Sequence, residues 1–157
     1  MVKEGEKINL NFDVRNQNGE LVNLASLDSD FLVVYFYPKD NTPGCTKEAC
    51  SFRDFNEDIK KLGAKVFGVS KDSVKSHVSF SEKHNLNFDL LVDEDLKLHN
   101  AFGTFVEKSL FGKKYMGTSR STFVIKNGEI IRVWEKVKPN DHAKEVYEFL
   151  ESVVASK

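Results

Sequence analysis

Two cysteines five positions apart are the side chains in this sequence best suited to carry chemistry. Cys45 and Cys50 are its only cysteines, so they cannot supply four zinc ligands, and no histidine stands at zinc-finger spacing. In a reducing compartment, a close pair of thiols is more often catalytic or redox-sensing than structural. The alternative is that the two cysteines are small, buried apolar side chains without reactivity.

The residues before Cys45 predict a reactive sulfur. Thr42 followed by Pro43 is typical of a helix start, with Thr42 as N-cap and proline in the first turn. Cys45 would then be the third helical residue. Unpaired backbone N–H groups and the positive end of the helix dipole would favour its thiolate, which is the form that attacks. Both residues also have an interpretation without chemistry. Thr42 would then do no more than cap the helix, and Cys45 would do no more than pack on the apolar face of the helix.

An intact helix would keep the two cysteines apart. Residues five positions apart lie about 140° from each other around a helix axis, with Cα atoms roughly 8.5 Å apart. A disulfide needs Cα atoms within about 7 Å. Either the two cysteines are unrelated, or oxidation of Cys45 to a sulfenic acid is followed by unwinding of the first helical turns, so that Cys50 can attack.

The elements around the cysteines are typical of an α/β protein. Residues 31–37 (FLVVYFY) form a continuous apolar run, as in a strand that is covered on both faces. A polar loop, 38–43, leads from this strand into a helix that ends near Leu62, with Gly63 as the C-cap candidate. One face of the helix is apolar, with steps of three and four residues. In open α/β sheets, ligands bind at this carboxyl edge of the strands.

The rest of the chain predicts further strands and helices. We expect an N-terminal hairpin formed by 8–14 and 21–24, strands at 64–69 and 88–92, helices at 73–85 and 95–102, a hairpin of 121–125 and 130–134 around Asn127-Gly128, and a helix over 139–154. Residues 103–120 lack periodicity. Within them, 108–114 is interpreted as a solvated, lysine-bearing loop.

This order of elements predicts the fold class. Buried strands that alternate with helices indicate an α/β protein. We expect a thioredoxin-like three-layer sandwich with a central mixed β-sheet and an N-terminal β-hairpin, in a single domain over residues 1–157. Other three-layer α/β folds fit the same order, so the fold alone does not identify the function.

Composition excludes several classes of function. The formal net charge is -1, with no basic excess, so no nucleic-acid partner is expected. No run of 18 apolar residues is present, so we expect no membrane span or membrane partner. The N-terminus lacks an apolar leader, which makes the cytoplasm the expected location. The four histidines are scattered and predict no metal site: His77, His84, His99 and His142.

The motif around Cys45 resembles a known family. Pro38-x-x-x-Thr42-x-x-Cys45 resembles the active-site signature of peroxiredoxins. The fuller string from Thr42 to Cys50 (TPGCTKEAC) is similar to the peroxiredoxin Q subfamily, also called bacterioferritin comigratory proteins. The likeness extends over nearly the whole chain and includes the segments 120–125 (RSTFVI) and 133–137 (VWEKV).

The resemblance implies a role for each of five residues. Cys45 matches the peroxidatic cysteine, and Cys50 the resolving cysteine with which it forms an intramolecular disulfide. Thr42 matches the hydroxyl that hydrogen-bonds peroxide and thiolate. Pro38 matches the residue that shields the sulfur from water, with a proline that only ends the strand as the alternative. Arg120 matches the active-site arginine. Glu48 also recurs in the motif, with a surface helix charge as the alternative.

Spacing alone does not distinguish Arg120 from the other candidate arginines. These are Arg15, Arg53 and Arg132, and most arginines are solvated surface residues. Only the match of residues 120–123 (RSTF) to the family selects Arg120.

The resemblance also implies the activity. It is the reduction of hydrogen peroxide and organic hydroperoxides, without a metal, haem or flavin cofactor, in antioxidant defence. Thioredoxin or a similar dithiol protein would reduce the disulfide. A monomer is expected, with a dimer as the alternative. Two competing functions are a thioredoxin-like disulfide oxidoreductase, against which the missing Cys-x-x-Cys counts, and a non-enzymatic redox sensor or binding module.

Overall fold

The structure is a computed structural model that describes residues 1–156, so only the last residue of the predicted domain, Lys157, lies outside the described part. The strands are β1 (Asp13–Arg15), β2 (Leu21–Asn23), β3 (Phe31–Phe36), β4 (Ala64–Ser70), β5 (Asp89–Val92), β6 (Phe105–Leu110), β7 (Lys113–Thr118), β8 (Ser121–Lys126) and β9 (Glu129–Trp134). The helices are α1 (Pro43–Lys61), α2 (Val74–Lys83), α3 (Lys97–Phe102) and α4 (His142–Ala155).

A mixed sheet of seven strands forms the centre of the molecule, in the order β2-β1-β5-β4-β3-β8-β9. Strand β3 lies in the interior of the sheet, parallel to β4 and antiparallel to β8. All six of its residues are buried, as its continuous apolar run predicts. The carboxyl end of β3, which leads into the loop before Cys45, is therefore hydrogen-bonded to a neighbouring strand on each side.

Side chains that alternate along β3 enter two separate apolar layers. Phe31, Val33 and Tyr35 belong to a layer that includes buried residues of α1, α2 and α4. Leu32, Val34 and Phe36 belong to the opposite layer, which contains Leu98 and Phe102 of α3. Helices thus cover both faces of a mixed sheet, and the predicted α/β sandwich is confirmed.

Gly68 in β4 makes room for an aromatic side chain beneath the active-site helix. A Cβ atom at this position would lie 2.9 Å from the ring carbon Cζ and the hydroxyl of Tyr35, and 2.9 Å from Leu90. Tyr35 in turn stacks on Phe52 of α1 with ring centroids 4.5 Å apart. The glycine therefore allows the central strand and α1 to pack closely, two turns after Cys45.

The predicted helix boundaries are confirmed for α1 and displaced for α4. Helix α1 begins at Pro43, and Gly63 follows its end with φ +86°, a conformation that suits glycine. The last helix begins at His142 rather than at the predicted residue 139. The backbone of Asp141 explains the difference. Its φ of 58° is left-handed, so α4 cannot extend through Asp141 toward residue 139.

The N-terminal hairpin is confirmed, but its strands are shorter than predicted. β1 and β2 pair antiparallel around the predicted turn, and β1 begins only at Asp13 rather than at residue 8. The alternating pattern of residues 8–12 belongs instead to an extended segment without strand pairing, in which Leu10 packs into the core and Ile8 donates to Gly128 O.

The prediction of a loop over residues 108–114, within the segment 103–120 that lacks periodicity, is wrong. β6 and β7 pair in register as a hairpin and form a two-stranded sheet of their own. The two turn residues, Phe111 and Gly112, both have positive φ, which is the backbone of a tight hairpin turn. The lysine-bearing residues 108–114 are therefore strand ends and a turn. Their sequence gives no apolar alternation because most side chains of this hairpin are exposed or half-exposed.

Over residues 1–156, none of the helices has the length and apolar character that crossing a membrane requires.

Candidate active site

Cys45 lies in the first turn of α1 and is almost completely buried, with 1% of its surface exposed. The first intrahelical hydrogen bond runs from Thr46 N to Thr42 O over 2.9 Å. The N–H groups of Gly44 and Cys45 therefore have no acceptor within the helix, and the positive end of the helix dipole lies at the sulfur. The predicted position of Cys45, third in the helix, is confirmed.

Arg120 contacts the sulfur directly. Its Nη2 donates to Cys45 Sγ over 3.2 Å, and its Nη1 donates to Glu48 Oε1 over 2.7 Å. The residue stands between β7 and β8, one position before the pair Ser121–Phe36 at the carboxyl end of β3. The sheet thus brings the predicted arginine to the predicted cysteine, and the planar guanidinium joins two residues of the same helix.

Glu48 is fully buried one turn after Cys45 and belongs to this cluster. Burial raises the pKa of Glu48 to about 7, although the charge of Arg120 and its hydrogen bond act in the opposite direction. Its second oxygen, Oε2, has no hydrogen-bond partner in the part of the chain that the structure describes. Burial lowers the pKa of Arg120, but Glu48 and Cys45 outweigh burial and leave it raised.

Gly44 allows two neighbours to approach the first turn of α1. A Cβ atom here would lie 3.4 Å from Pro139 Cγ and 3.5 Å from Arg120 Nη2. Both are ordinary van der Waals distances, so an added Cβ atom would touch the two neighbours and fill the space between them.

Thr42 occupies the predicted N-cap position with an extended backbone, but the predicted capping hydrogen bond is absent. Its hydroxyl instead donates to Lys39 O over 2.9 Å. The backbone oxygen of Thr42 accepts the first helical bond, so the helix begins here without the side chain. The hydroxyl proton is held by a carbonyl, and its lone pairs are left to accept a hydrogen bond from a ligand.

Pro38 follows the central strand and is half-buried. The preceding residue, Tyr37, still donates from its backbone N to Val69 O over 3.1 Å, so the chain leaves the sheet at Pro38. This position agrees with a strand-ending proline. Its shielding of Cys45 from water stays a prediction.

Cys50 is a half-buried free thiol, and Cys45 is also free. Both lie on α1, which is continuous from Pro43 to Lys61. Their Cα atoms are therefore about 8.5 Å apart by helix geometry, too far for a disulfide. Cys50 borders a shallow groove of about 550 Å³ between α1 and the loop before α4, and Phe55 and Pro139 line it as well.

Asp40, in the loop between β3 and α1, is a buried carboxylate that was not predicted from the sequence. Its Oδ1 accepts from the hydroxyl of Tyr37 at 2.6 Å. Its Oδ2 accepts from Ser76 Oγ at 2.8 Å and lies 2.7 Å from His77 Nδ1. Its backbone N donates to Asp72 Oδ2 over 2.9 Å. Polar residues just after β3 and β4, at one edge of the sheet, are the signal that could have identified this cluster.

Asp40, Asp72 and His77 also bring three possible metal-ligand atoms within 4.8 Å of one another. Each of these atoms already has hydrogen-bond partners. Asp72 Oδ2 accepts from Ser70 Oγ at 2.6 Å as well as from Asp40 N. His77 Nε2 lies 2.9 Å from Leu91 O. We therefore interpret the cluster as a hydrogen-bond network that ties the loop to α2 and β5.

Lys108 of β6 lies within range of the charges of the cysteine site. Burial lowers the pKa of Lys108, the charge of Arg120 adds to this effect, and Cys45 opposes it. The hairpin that the sequence did not predict therefore carries a cation that interacts electrostatically with Arg120 and Cys45.

Comparison with known proteins identifies relatives along most of the chain. The AhpC/TSA family model matches residues 5–134. The chain is 49% identical over 142 residues to "Peroxiredoxin Bcp" of Bacillus subtilis, covering 90% of each protein. It is 42% identical over 140 residues to "Peroxiredoxin Bcp" of Escherichia coli K12, covering 88% of this chain and 90% of that protein.

Solved structures agree with these relatives. Peroxiredoxin Q of Xanthomonas campestris superposes with a TM-score of 0.88 at 39% identity, covering 92% of both chains. A mutant of PrxQ from Xylella fastidiosa superposes with a TM-score of 0.93 at 36% identity, covering 98% of both chains.

Proposed function

This chain belongs to the AhpC/TSA family, and on that premise we propose that Cys45 is its peroxide-reactive cysteine and that Cys50 closes an intramolecular disulfide with it. The chain is a thiol-dependent peroxidase of the peroxiredoxin Q kind. The observation that supports Cys45 most strongly is the 3.2 Å contact between Arg120 Nη2 and Cys45 Sγ at the start of α1.

The first step is a nucleophilic displacement on oxygen. The Cys45 thiolate attacks the terminal oxygen of the hydroperoxide, an S–O bond forms, and the O–O bond breaks. The sulfur becomes a sulfenic acid, and the other oxygen leaves as hydroxide or alkoxide, which takes from solvent the proton that the thiol released on ionising and becomes water or an alcohol. Arg120 stabilises the thiolate and the charge that develops on the oxygens. Thr42, whose own proton is held by Lys39 O, accepts a hydrogen bond from the peroxide.

The second step requires movement of the helix. Cys50 attacks the sulfenic sulfur of Cys45, the S–S bond forms, and the oxygen leaves as water. Because both cysteines lie on a continuous α1, residues from the helix start to Cys50 must unwind first. Phe52, fully buried and stacked on Tyr35, is the expected end of the unwound segment.

An external dithiol then reduces the disulfide by thiol exchange. We propose thioredoxin or a similar protein for this role, with the open groove beside Cys50 as the point of access. This requirement supports the cytoplasm as the location, since a reducing compartment supplies such dithiols.

The preferred hydroperoxide and the assembly are also proposals. A structure of the Xanthomonas campestris bacterioferritin comigratory protein is described in terms of its alkyl peroxide reduction activity. We propose that this chain likewise accepts organic hydroperoxides in addition to hydrogen peroxide. We further propose that residues 1–157 form one thioredoxin-like domain, because a single sheet joins β1 and β2 to β8 and β9. We propose that this domain acts as a monomer, as the resemblance to the peroxiredoxin Q subfamily implies.

Steady-state consumption of peroxide with a dithiol reductant tests these roles. The wild-type protein should turn over, and Cys45→Ser should be inactive. Cys50→Ser should still undergo the first oxidation, but its sulfenic acid is left open to over-oxidation, so its turnover should decline as peroxide is consumed. Full activity in Cys45→Ser would contradict the assignment. Disulfide exchange without peroxide turnover would instead support the oxidoreductase alternative.

A further inference from the structure

We propose that Asp40 is a positioning residue for the peroxide reaction, because its buried carboxylate fixes the loop that carries Thr42 and starts α1. The inference rests on the proposed role of Cys45. Asp40 itself does not touch the sulfur in this structure, so it acts through the loop.

The loop between β3 and α1 leaves the sheet at Pro38, so strand pairing does not hold its later residues in place. Tyr37 is the last residue before it that pairs with β4, and α1 begins at Pro43. Between them, Asn41 has a left-handed backbone with φ 60°. Such a conformation is tolerated by asparagine but has to be held by its surroundings. The exposed Lys39 and Asn41 offer little packing to hold it.

Asp40 anchors the loop through four hydrogen bonds, three to its carboxylate and one from its backbone N. Its carboxylate closes the loop on itself through the hydroxyl of Tyr37 and attaches it to α2 through Ser76 and His77. Its backbone N donates to Asp72, which follows β4. Asp40 is 5% exposed, so these hydrogen bonds take the place of bonds to water. Because water is excluded, losing one of them would leave a buried polar group unpaired, which is unfavourable.

The consequence concerns Thr42, two residues later. The bond to Lys39 O fixes the orientation of the Thr42 hydroxyl and so directs its lone pairs toward other donors, and Lys39 and Thr42 stand on either side of Asp40. A shift of the loop would misplace the oxygen that Thr42 offers to the peroxide. Small misplacements of such a group slow a reaction that depends on the orientation of its substrate far more than a reaction that does not.

A second buried aspartate–histidine pair differs from this arrangement in its hydrogen-bond partners. Asp93 Oδ2 lies 2.6 Å from His99 Nδ1, and its carboxylate also accepts from the backbone N atoms of Leu98 and His99. That pair caps α3. Asp40 accepts no helix N–H in the same way, and its partners converge on the loop before Cys45.

The test compares two reactions of the same sulfur in the full-length protein. One is oxidation of Cys45 by hydrogen peroxide, and the other is alkylation of Cys45 by iodoacetamide, which requires a thiolate but no oriented peroxide. Asp40→Asn should lower the oxidation rate constant roughly ten- to hundredfold and leave alkylation nearly unchanged. The ratio of the two rates is the readout that a purely structural role would not move.

Asn56→Ala is the matched control. Asn56 is equally buried, lies on α1, and donates from Nδ2 to Asn87 O over 2.9 Å, three turns from Cys45. Urea unfolding should show a comparable loss of stability in both variants. If Asn56→Ala lowers the oxidation-to-alkylation ratio as much as Asp40→Asn does, or if neither lowers it, the proposal is overturned.

If Asp40→Asn does not fold, Ser76→Ala and Tyr37→Phe replace it, because each removes one donor to the carboxylate. Both should lower the ratio by a smaller factor, and an unchanged ratio in both would overturn the proposal. Failure of the proposed function gives a different result: wild-type Cys45 would be alkylated but would not be oxidised.

Discussion

Arg120 donates from Nη2 to Cys45 Sγ over 3.2 Å, although 75 residues separate the two in the chain. The other arm of the guanidinium donates to Glu48 at 2.7 Å, so the cation is held by the helix on which it acts. This double contact depends on the planar fork of arginine, which a lysine ammonium cannot reproduce.

Replacing Arg120 by lysine should therefore slow the oxidation of Cys45 strongly. The charge remains, but one ammonium cannot bind Glu48 and orient toward the sulfur in the same geometry. We expect a loss of roughly 10²- to 10³-fold in the second-order rate with hydrogen peroxide, measured by rapid mixing. Arg15→Lys is the matched control, since Arg15 only donates to Gly19 O at the surface. A rate within a factor of about two of wild type for Arg120→Lys would refute the orienting role.

Glu48 should give the protein a measurable dependence of stability on pH. Its pKa is raised from 4.5 to about 7 in the folded state, so the folded protein holds a proton that the unfolded chain releases. Its contribution to the free energy of unfolding is therefore greatest below about pH 4.5 and declines as the pH rises toward 7, by about 3 kcal/mol in total.

Glu48→Gln isolates this effect, because glutamine does not titrate. Urea unfolding of both proteins between pH 4.5 and 8 should show the variant gaining stability relative to wild type as the pH rises, with no further change above about pH 8. Buried His142, whose pKa is lowered by burial, acts in the opposite direction but is common to both proteins. Parallel curves would mean that Glu48 is ionised in the folded protein throughout this range.

Sequence was sufficient for the central strand, α1 and the cysteine at its start, because each depends on local signals: a continuous apolar run, a Thr-Pro pair and a regular apolar face. It was also sufficient for Arg120, but only through resemblance, since nothing local distinguishes this arginine from Arg53 or Arg132. The contact with Cys45 depends on the pairing of β8 with β3, a long-range feature that local patterns do not contain.

Other features could not be predicted for identifiable reasons. The β6–β7 hairpin has little apolar alternation, because it pairs only with itself and is largely exposed. The Thr42 hydroxyl turns toward Lys39 O rather than into the helix, a choice between two nearby partners. Asp40 and His77 are 37 residues apart and meet only because α2 packs beside the loop.

Thr42 should be replaceable by serine but not by valine. Serine keeps a hydroxyl that can donate to Lys39 O and accept from a peroxide, whereas valine keeps the shape and removes both bonds. Thr42→Val should lower the rate of Cys45 oxidation roughly tenfold or more, which is the value of one hydrogen bond of about 1.4 kcal/mol. Because the hydroxyl does not cap α1, the thermal unfolding of Thr42→Val should stay close to that of Thr42→Ser. Equal rates for both variants would remove Thr42 from the mechanism.

Formation of the Cys45–Cys50 disulfide should lower the helical content of the protein. The disulfide cannot form across the intact first turns of α1, so the far-ultraviolet circular dichroism at 222 nm should decrease when the wild-type protein is oxidised and should recover with a dithiol. Cys50→Ser, which cannot form the link, should keep its ellipticity after one equivalent of peroxide. An unchanged signal in oxidised wild-type protein would show that the helix need not unwind.

The most direct measurement is the intact mass and peptide map of the reduced protein after one equivalent of hydrogen peroxide. We predict a rapid loss of two hydrogens, mapped to a link between Cys45 and Cys50, with no such product in Cys45→Ser. If the thiols of the wild-type protein remain unchanged over minutes, or if Cys50 is oxidised while Cys45 stays reduced, the proposed roles of the two cysteines are wrong.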